Sequence, residues 1–306
     1  MSKPRRPRRP VSGILLLDKP LGLSSNQALQ RVKFLYQADK AGHTGSLDPL
    51  ATGMLPICLG EATKLSGVLL DSDKIYRARV RLGQRTDTGD AEGQVIASAE
   101  VSAGLAEIEA VLPRFLGEIL QVPPMYSALK QGGERLYALA RQGIEVERQA
   151  RPVTIHGLRI ESFDTPEFDL WVHCSKGTYI RTLAEDIATA VGQCAFLAGL
   201  RRLSVAPFSS QAPVSLETLQ QTLDSGGLEA IDRLLLTPAE GVAHWSQLRV
   251  DAEQERKLAH GRAVELSDLP PNQARFAVLN QQGQLLGLAE SDGLGRLLPR
   301  RWLTAG

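Results

Sequence analysis

A chain of 306 residues, 43% of them hydrophobic, carries enough apolar surface for a large core and, by length, for roughly two domains. No run of about 18 apolar residues occurs, which excludes a spanning helix, and the basic start lacks the apolar stretch of a signal peptide. The formal net charge of +1 conceals a division: residues 1–85 hold 15 Lys and Arg against 6 Asp and Glu, and the remainder hold 20 against 28.

A basic first part suits a polyanionic partner whatever the overall total, although solvated surface charge accounts for it equally well. Cys58, Cys174 and Cys194 are odd in number and widely spaced, which supports neither a disulfide framework nor a zinc site and fits a reducing cytoplasm. The first twelve residues, with Arg5, Arg6, Arg8 and Arg9 among prolines, cannot build a core and read as a disordered basic arm resting on phosphates.

Ile14 to Leu17 is a short apolar run of strand type, ended by Asp18-Lys19-Pro20. Ser24 or Ser25 then caps a helix bearing Leu29, Val32, Leu35 and Tyr36 at helical spacing. The stretch Gly42-His43-Thr44-Gly45-Ser46-Leu47-Asp48-Pro49-Leu50-Ala51-Thr52-Gly53 is a shaped loop, because glycine opens positive φ and proline pushes the residue before it towards extended geometry. That residue is Asp48. Taken alone it is a turn cap or a polar group presented by a rigid loop.

Met54 to Leu59 follows as a buried strand and Glu61 to Leu70 as a helix. Lys74 to Leu82 alternates, with Tyr76, Ala78, Val80 and Leu82 on one face and Arg77, Arg79 and Arg81 on the other, a solvated face or a track for RNA. Thr86 to Asp90 is turn chemistry. Residues 121–151 turn irregular around Pro123-Pro124 and Gly132-Gly133, an insertion able to close over a ligand. Strands at 153–160 and 170–174 precede a helix whose Leu183, Ile187 and Val191 face inward; Tyr179 and Arg181 share a side if the chain is still extended there. Leu200-Arg201-Arg202-Leu203 precedes a strand at Val205, residues 207–241 are helical with a break at Gly226-Gly227, and residues 276–280 and 285–289 form a hairpin.

Several of these stretches, in order, resemble one family. Leu17-Asp18-Lys19-Pro20, the loop from Gly42 to Gly53, Gly60-Glu61-Ala62-Thr63-Lys64, Met125-Tyr126-Ser127-Ala128-Leu129-Lys130 and Gly177-Thr178-Tyr179-Ile180-Arg181 resemble the TruB-type tRNA pseudouridine-55 synthases, with Ser46 where the family usually has alanine. The resemblance implies an α+β fold, a mixed and largely antiparallel sheet with flanking helices and a central cleft. It implies a catalytic domain over residues 13–247 and a small β-rich, PUA-like RNA-binding domain over 248–306. It implies isomerisation of the T-loop uridine of tRNA, no metal or organic cofactor, no obligate protein partner and a monomer in the cytoplasm. By position, Asp48 matches the catalytic aspartate, Arg181 the arginine that pairs with it, and His43, Tyr76, Tyr179 and Leu200 substrate-contacting positions; Lys19 and Lys64 are candidate phosphate contacts or plain surface lysines.

The residue chemistry agrees. A cation beside a carboxylate favours its charged form. A uridine taken out of its stack costs a few kcal/mol, which stacking on Tyr76 offsets by about 1–3 kcal/mol. Two rivals stand beside this reading: a catalytically silent RNA-binding or RNA-folding protein, and a glycosidic hydrolase for which Asp90 is the one obvious second carboxylate.

Overall fold

The computed structural model describes residues 8–266, 269–270 and 273–303, and by compactness the chain divides into two units. One holds the described residues before Leu47, then Leu55–Leu70 and the described residues from Ala206 onward; the other holds Leu47–Met54 and Asp71–Val205.

In the first unit the opening strand spans Gly13–Lys19, nearly all buried, and pairs in parallel with Val214–Ser215. Ser24 is the cap of the helix Ser25–Leu35. Its hydroxyl accepts from the Gln27 N–H while the Gln27 side chain accepts from the Ser24 N–H, satisfying two orphan amides reciprocally. Leu29, Val32 and Leu35 are buried as their spacing requires, and the Tyr36 hydroxyl donates to the Ile231 carbonyl at 2.6 Å. The stretch expected as one helix over 61–70 is instead a 3-10 turn, Gly60–Leu65, running into the short helix Ser66–Leu70. Thr63 and the Ser66-Gly67 pair are weak α formers, so the tighter geometry prevails over a short span. The expected break at Gly226-Gly227 is a kink inside Leu216–Asp232, where Gly227 takes φ 69°.

Of the arm expected to be disordered, residues 1–7, with Arg5 and Arg6, lie outside the described residues. Arg9 is held. Its guanidinium donates to both oxygens of Asp232, at 2.6 and 2.5 Å, and its Nε to the Tyr36 carbonyl at 2.9 Å, while its backbone bonds Gln37 and Asp39. A planar fork on a carboxylate supplies order that a count of prolines and cations cannot reveal. Lys19 likewise departs from its expected role: it is fully buried and donates to the carbonyls of Pro20 and Leu23. Lys64 is half-buried between the Glu61 carboxylate and the Trp302 carbonyl.

The tail of the first unit is a five-stranded sheet in the order Ser246–Arg249, Arg275–Leu279, Leu285–Ser291, Arg296–Trp302, Val264–Glu265, and the expected hairpin is its centre. Val250, Leu258, Phe276, Val278, Ala289 and Leu297 form its own core. Each of the larger of these contributes about 1.5–3 kcal/mol by burial.

The second unit is built on a mixed, largely antiparallel sheet. Residues 51–53 run parallel to the strand Ala195–Val205; Lys74–Leu82, Glu167–Cys174, Arg151–Asp164 and Gly117–Gln121 then follow, each antiparallel to the last. Tyr76, Ala78, Val80 and Leu82 are buried as their alternation predicts. On the opposite face each arginine meets an acid: Arg77 with Glu161, Arg79 with Asp169 at 3.0 Å, Arg81 with Glu167 at 3.6 Å. That face is a ladder of ion pairs rather than a bare basic track.

The residues Leu200 to Leu203, expected before a strand, lie inside Ala195–Val205, with Arg202 turned fully inward. Behind the sheet the helix Ile180–Ala190 buries Leu183, Ala184, Ile187 and Ala188. It stops in a Schellman arrangement: Gly192, at φ 72°, donates to the Thr189 carbonyl and Gln193 to that of Ala188. Among the described residues, no helix is long and apolar enough to cross a membrane.

Candidate active site

The Asp48 carbonyl accepts from the Ala51 N–H at 3.0 Å, closing a turn with aspartate first and Pro49 second. The turn-cap reading is therefore right about the backbone, and the side chain does something further. Leu47 is buried on one side of it. Gly53, at φ 100°, lies opposite Arg202 in the parallel pairing, where a Cβ would stand 2.2 Å from the Arg202 carbonyl oxygen. Only glycine permits that approach.

Arg181 reaches this turn from the first turn of the helix Ile180–Ala190. Its Nη2 lies 3.1 Å from Asp48 Oδ2 and donates to the Tyr126 carbonyl at 2.6 Å; its Nη1 donates to the Thr88 carbonyl at 2.9 Å and lies 3.4 Å from Asp90 Oδ2. One guanidinium thus joins two carboxylates of opposite character. The Asp48 side chain is 47% exposed, and that of Asp90 is 4% exposed, its Oδ1 accepting from the Thr88 hydroxyl and the Glu92 N–H. Asp90 is a buried counter-ion that holds the arginine in place. Its sequence context, Thr86-Asp87-Thr88-Gly89-Asp90, reads as a solvent turn, and nothing in it signals burial.

Tyr76 lies on the same strand face as Ala78 and is 8% exposed. Burial pushes its phenol well above the ordinary tyrosine range, against the opposing hydrogen bond and charge of Arg202, while Asp48 raises it further. The phenol is accordingly neutral at physiological pH. Arg202, which stands opposite Tyr76 in the ladder, is fixed by its Nε donating to the Met54 carbonyl at 2.7 Å. Sequence reasoning placed Arg202 in no role, since an arginine pair beside leucines gives no inward signal.

Tyr179 is the extended residue that caps the Arg181 helix, at φ −96° and ψ 107°. The condition for Tyr179 and Arg181 to share a side, an extended chain, is therefore not met: the helix begins at Ile180, between them. Burial raises the Tyr179 phenol, with Asp48 adding to the shift and Ser127 and Arg181 opposing it. Leu200 is half-buried, opposite Ala51 on one side and Ala78 on the other, just past a bulge between Leu197 and Gly199 that turns the strand. The structure thus groups Asp48, Arg181, Tyr76, Tyr179 and Leu200 in the second unit. His43 belongs to the first, at the end of the strand Ala41–His43 and opposite Ile57. Among the described residues no group of three or more His, Cys, Asp or Glu side chains is arranged to hold a metal ion.

Family models match nearly the whole chain: the TruB family pseudouridylate synthase N-terminal domain over residues 33–180, the tRNA pseudouridylate synthase B C-terminal domain over 181–242, and the pseudouridine synthase II TruB C-terminal model over 246–303. The tRNA pseudouridine synthase B of Methylobacillus flagellatus is 52% identical over 299 residues, 98% of this chain and 97% of its own. That of Pseudomonas aeruginosa is 50% identical over 301 residues, 98% and 99% of the two chains. Among solved structures, a Cbf5-Nop10-Gar1 complex matches with a TM-score of 0.72 at 23% identity over 96% of this chain and 84% of that one. An H/ACA RNP bound to a substrate RNA containing 2'-deoxyuridine matches with a TM-score of 0.73 at 20% identity, over 96% and 85%. At these identities the likeness shows a common fold.

Proposed function

The chain belongs to the TruB family of pseudouridylate synthases, and from that premise we propose that it isomerises the T-loop uridine of tRNA, position 55, with Asp48 as the catalytic carboxylate. It is an isomerase that forms pseudouridine in tRNA, as its relatives at about 50% identity are named. The reaction conserves atoms. The C1'–N1 bond breaks, the uracil turns, a C1'–C5 bond forms, and the proton lost from C5 is matched by one gained at N1.

The observation that carries the assignment of Asp48 is its position on a buried arginine while its own side chain stays 47% exposed. A carboxylate held against a fixed cation is pre-oriented, and a half-exposed one can meet the flipped nucleotide. Arg181 is placed to hold that orientation through Nη2, with Nη1 anchored on the Thr88 carbonyl and Asp90. Tyr76, neutral and set on a rigid strand, supplies a stacking face for the uracil, and Tyr179 and Leu200 line the remainder of the pocket. His43, five residues before Asp48 in sequence, is assigned to RNA contact.

A hydrolase built on Asp48 would need a second carboxylate facing the substrate, and Asp90 is turned to Arg181, Thr88 and Glu92 instead. We further assign residues 13–247 to the catalytic domain and 248–306 to a PUA-like RNA-binding domain, whose sheet has a core of its own. A monomer acting in the cytoplasm, where its substrate lies, completes the reading. The test is product analysis of an unmodified T-arm stem-loop incubated with the full chain: pseudouridine at the expected T-loop position supports it, and release of free uracil, or conversion at another position only, contradicts it.

A further inference from the structure

Gln121 ends the strand Gly117–Gln121 and stands opposite Arg151, the first residue of Arg151–Asp164. The irregular segment 122–150 therefore leaves and re-enters the sheet at this one pair. Gln121 is 2% exposed and its side chain is turned to Tyr179: its Oε1 accepts from the Tyr179 N–H at 2.8 Å, and its Nε2 donates to the Tyr179 carbonyl at 3.1 Å. Tyr179 lies beyond the end of the strand Glu167–Cys174 and before the first residue of the Arg181 helix. A side-chain amide that meets both polar groups of one backbone residue takes the place of a neighbouring strand and fixes that residue in two directions at once. The same segment is tied a second time, since Arg181 donates to the carbonyl of Tyr126 within it.

We propose that Gln121 is a positioning residue for pseudouridine formation. It holds Tyr179 and, through the first turn of the helix, sets the Arg181 guanidinium against Asp48, so that the foot of segment 122–150 governs the alignment of the pair. The proposal rests on the synthase reading above. Glutamine suits this role, because it offers one acceptor and one donor on a planar fork to the Tyr179 N–H and carbonyl.

Full-length Gln121→Leu keeps the volume and removes both hydrogen bonds. Three quantities decide the matter: the single-turnover rate of pseudouridine formation on a T-arm stem-loop at saturating enzyme, the Kd for the same RNA, and the exchange rate of the Tyr179 amide hydrogen. The expected result is a rate at least about tenfold lower, a Kd within about threefold of wild type, and Tyr179 exchange at least about tenfold faster with the strand Ala195–Val205 unchanged. In an Arg181→Lys background the leucine change should alter the rate by less than about threefold, because the alignment it disturbs is already lost. A rate within threefold of wild type, or the same proportional loss in both backgrounds, overturns the proposal. Gln121→Glu keeps the acceptor and loses the donor; it stands in if the leucine variant does not fold, and a wild-type rate in it overturns the proposal as well. Should the wild type form no pseudouridine, the synthase reading fails, and unchanged Tyr179 exchange in Gln121→Leu then overturns the tether independently.

Discussion

The Arg181 side chain, 7% exposed, stands 3.1 Å from an Asp48 carboxylate that is 47% exposed. Burial is thus assigned to the cation and access to the acid. The arginine is anchored by three further acceptors, the carbonyls of Thr88 and Tyr126 and the carboxylate of Asp90. A freely moving arginine on the same carboxylate would hold it far less firmly, since two long side chains lose entropy in pairing.

Arg181→Met removes that anchor and leaves Asp90 buried without its cation. Both activity and stability should fall, the latter by about 3–5 kcal/mol, the usual cost of breaking a buried pair on one side. Arg181→Lys should keep more of the stability than of the activity, because a point charge cannot serve four acceptors of fixed geometry. Urea denaturation together with kcat/KM checks both, and wild-type stability in the methionine variant would show that Asp90 does not depend on Arg181.

Tyr76→Ala takes away the proposed stacking face while leaving the basic surfaces untouched. Loss of about 1–3 kcal/mol of stacking should appear mainly in turnover, with tRNA Kd changing by less than about fivefold. Stopped-assay kcat beside a filter-binding Kd gives the answer; normal turnover with weakened binding would contradict the stacking role.

Gly53→Ala tests the backbone that carries Asp48. The added Cβ meets the Arg202 carbonyl oxygen at 2.2 Å, and the residue is held at φ 100°. The two strands must separate, at a cost of about 3 kcal/mol or more, and activity should fall with them. Thermal denaturation reads the first effect, and an unshifted Tm would mean that the pairing is looser than the geometry implies.

Burial lowers the Lys74 ammonium to about 8 from an ordinary value of 10.5, with the charge of Arg202 acting in the same direction. Between those two values the unfolded chain keeps a proton that the folded chain has released, so this group adds stability as pH rises through that window. Below about pH 8 the cost of burying the charge is present in full. Lys74→Met should therefore stabilise the protein at pH 7, by up to about 3 kcal/mol, and the advantage should shrink towards pH 10.5. The Cys58 thiol, raised by burial to about 11, acts oppositely but equally in both proteins; the Cys174 thiol, raised by burial to about 12, is lowered in part by the Lys74 charge, and at pH 10 it stays protonated in both folded proteins, so it leaves the difference unaltered. Denaturation of the pair at pH 7 and pH 10 is the check; a difference that stays constant or widens would contradict the buried charge.

Much of this fold is visible in residue order alone. The alternation through Lys74–Leu82 placed Tyr76 inward, Ser24 or Ser25 ahead of Leu29, Val32 and Leu35 announced the first helix, and the glycine loop with Asp48 before Pro49 marked the candidate site. What stayed hidden has one physical cause: long-range pairing reverses the local meaning of a polar residue. Asp90 looks like a turn acid until Arg181 arrives from 91 positions along the chain, Arg202 looks like surface until it is seen opposite Tyr76, and Lys19 looks like a phosphate contact until its ammonium is found on two backbone carbonyls. Arg9 repeats the lesson, since Asp232 orders a residue whose neighbours suggest disorder.

The central claim is that Asp48 performs chemistry rather than binding, and Asp48→Asn tests it most directly. The substitution keeps the side chain's size and its turn while removing the charge. Pseudouridine formation on an unmodified T-arm stem-loop should be lost, by at least about a thousandfold, with RNA Kd within about threefold of wild type. Product at a rate near that of wild type, or lost product explained wholly by lost binding, would contradict the assignment.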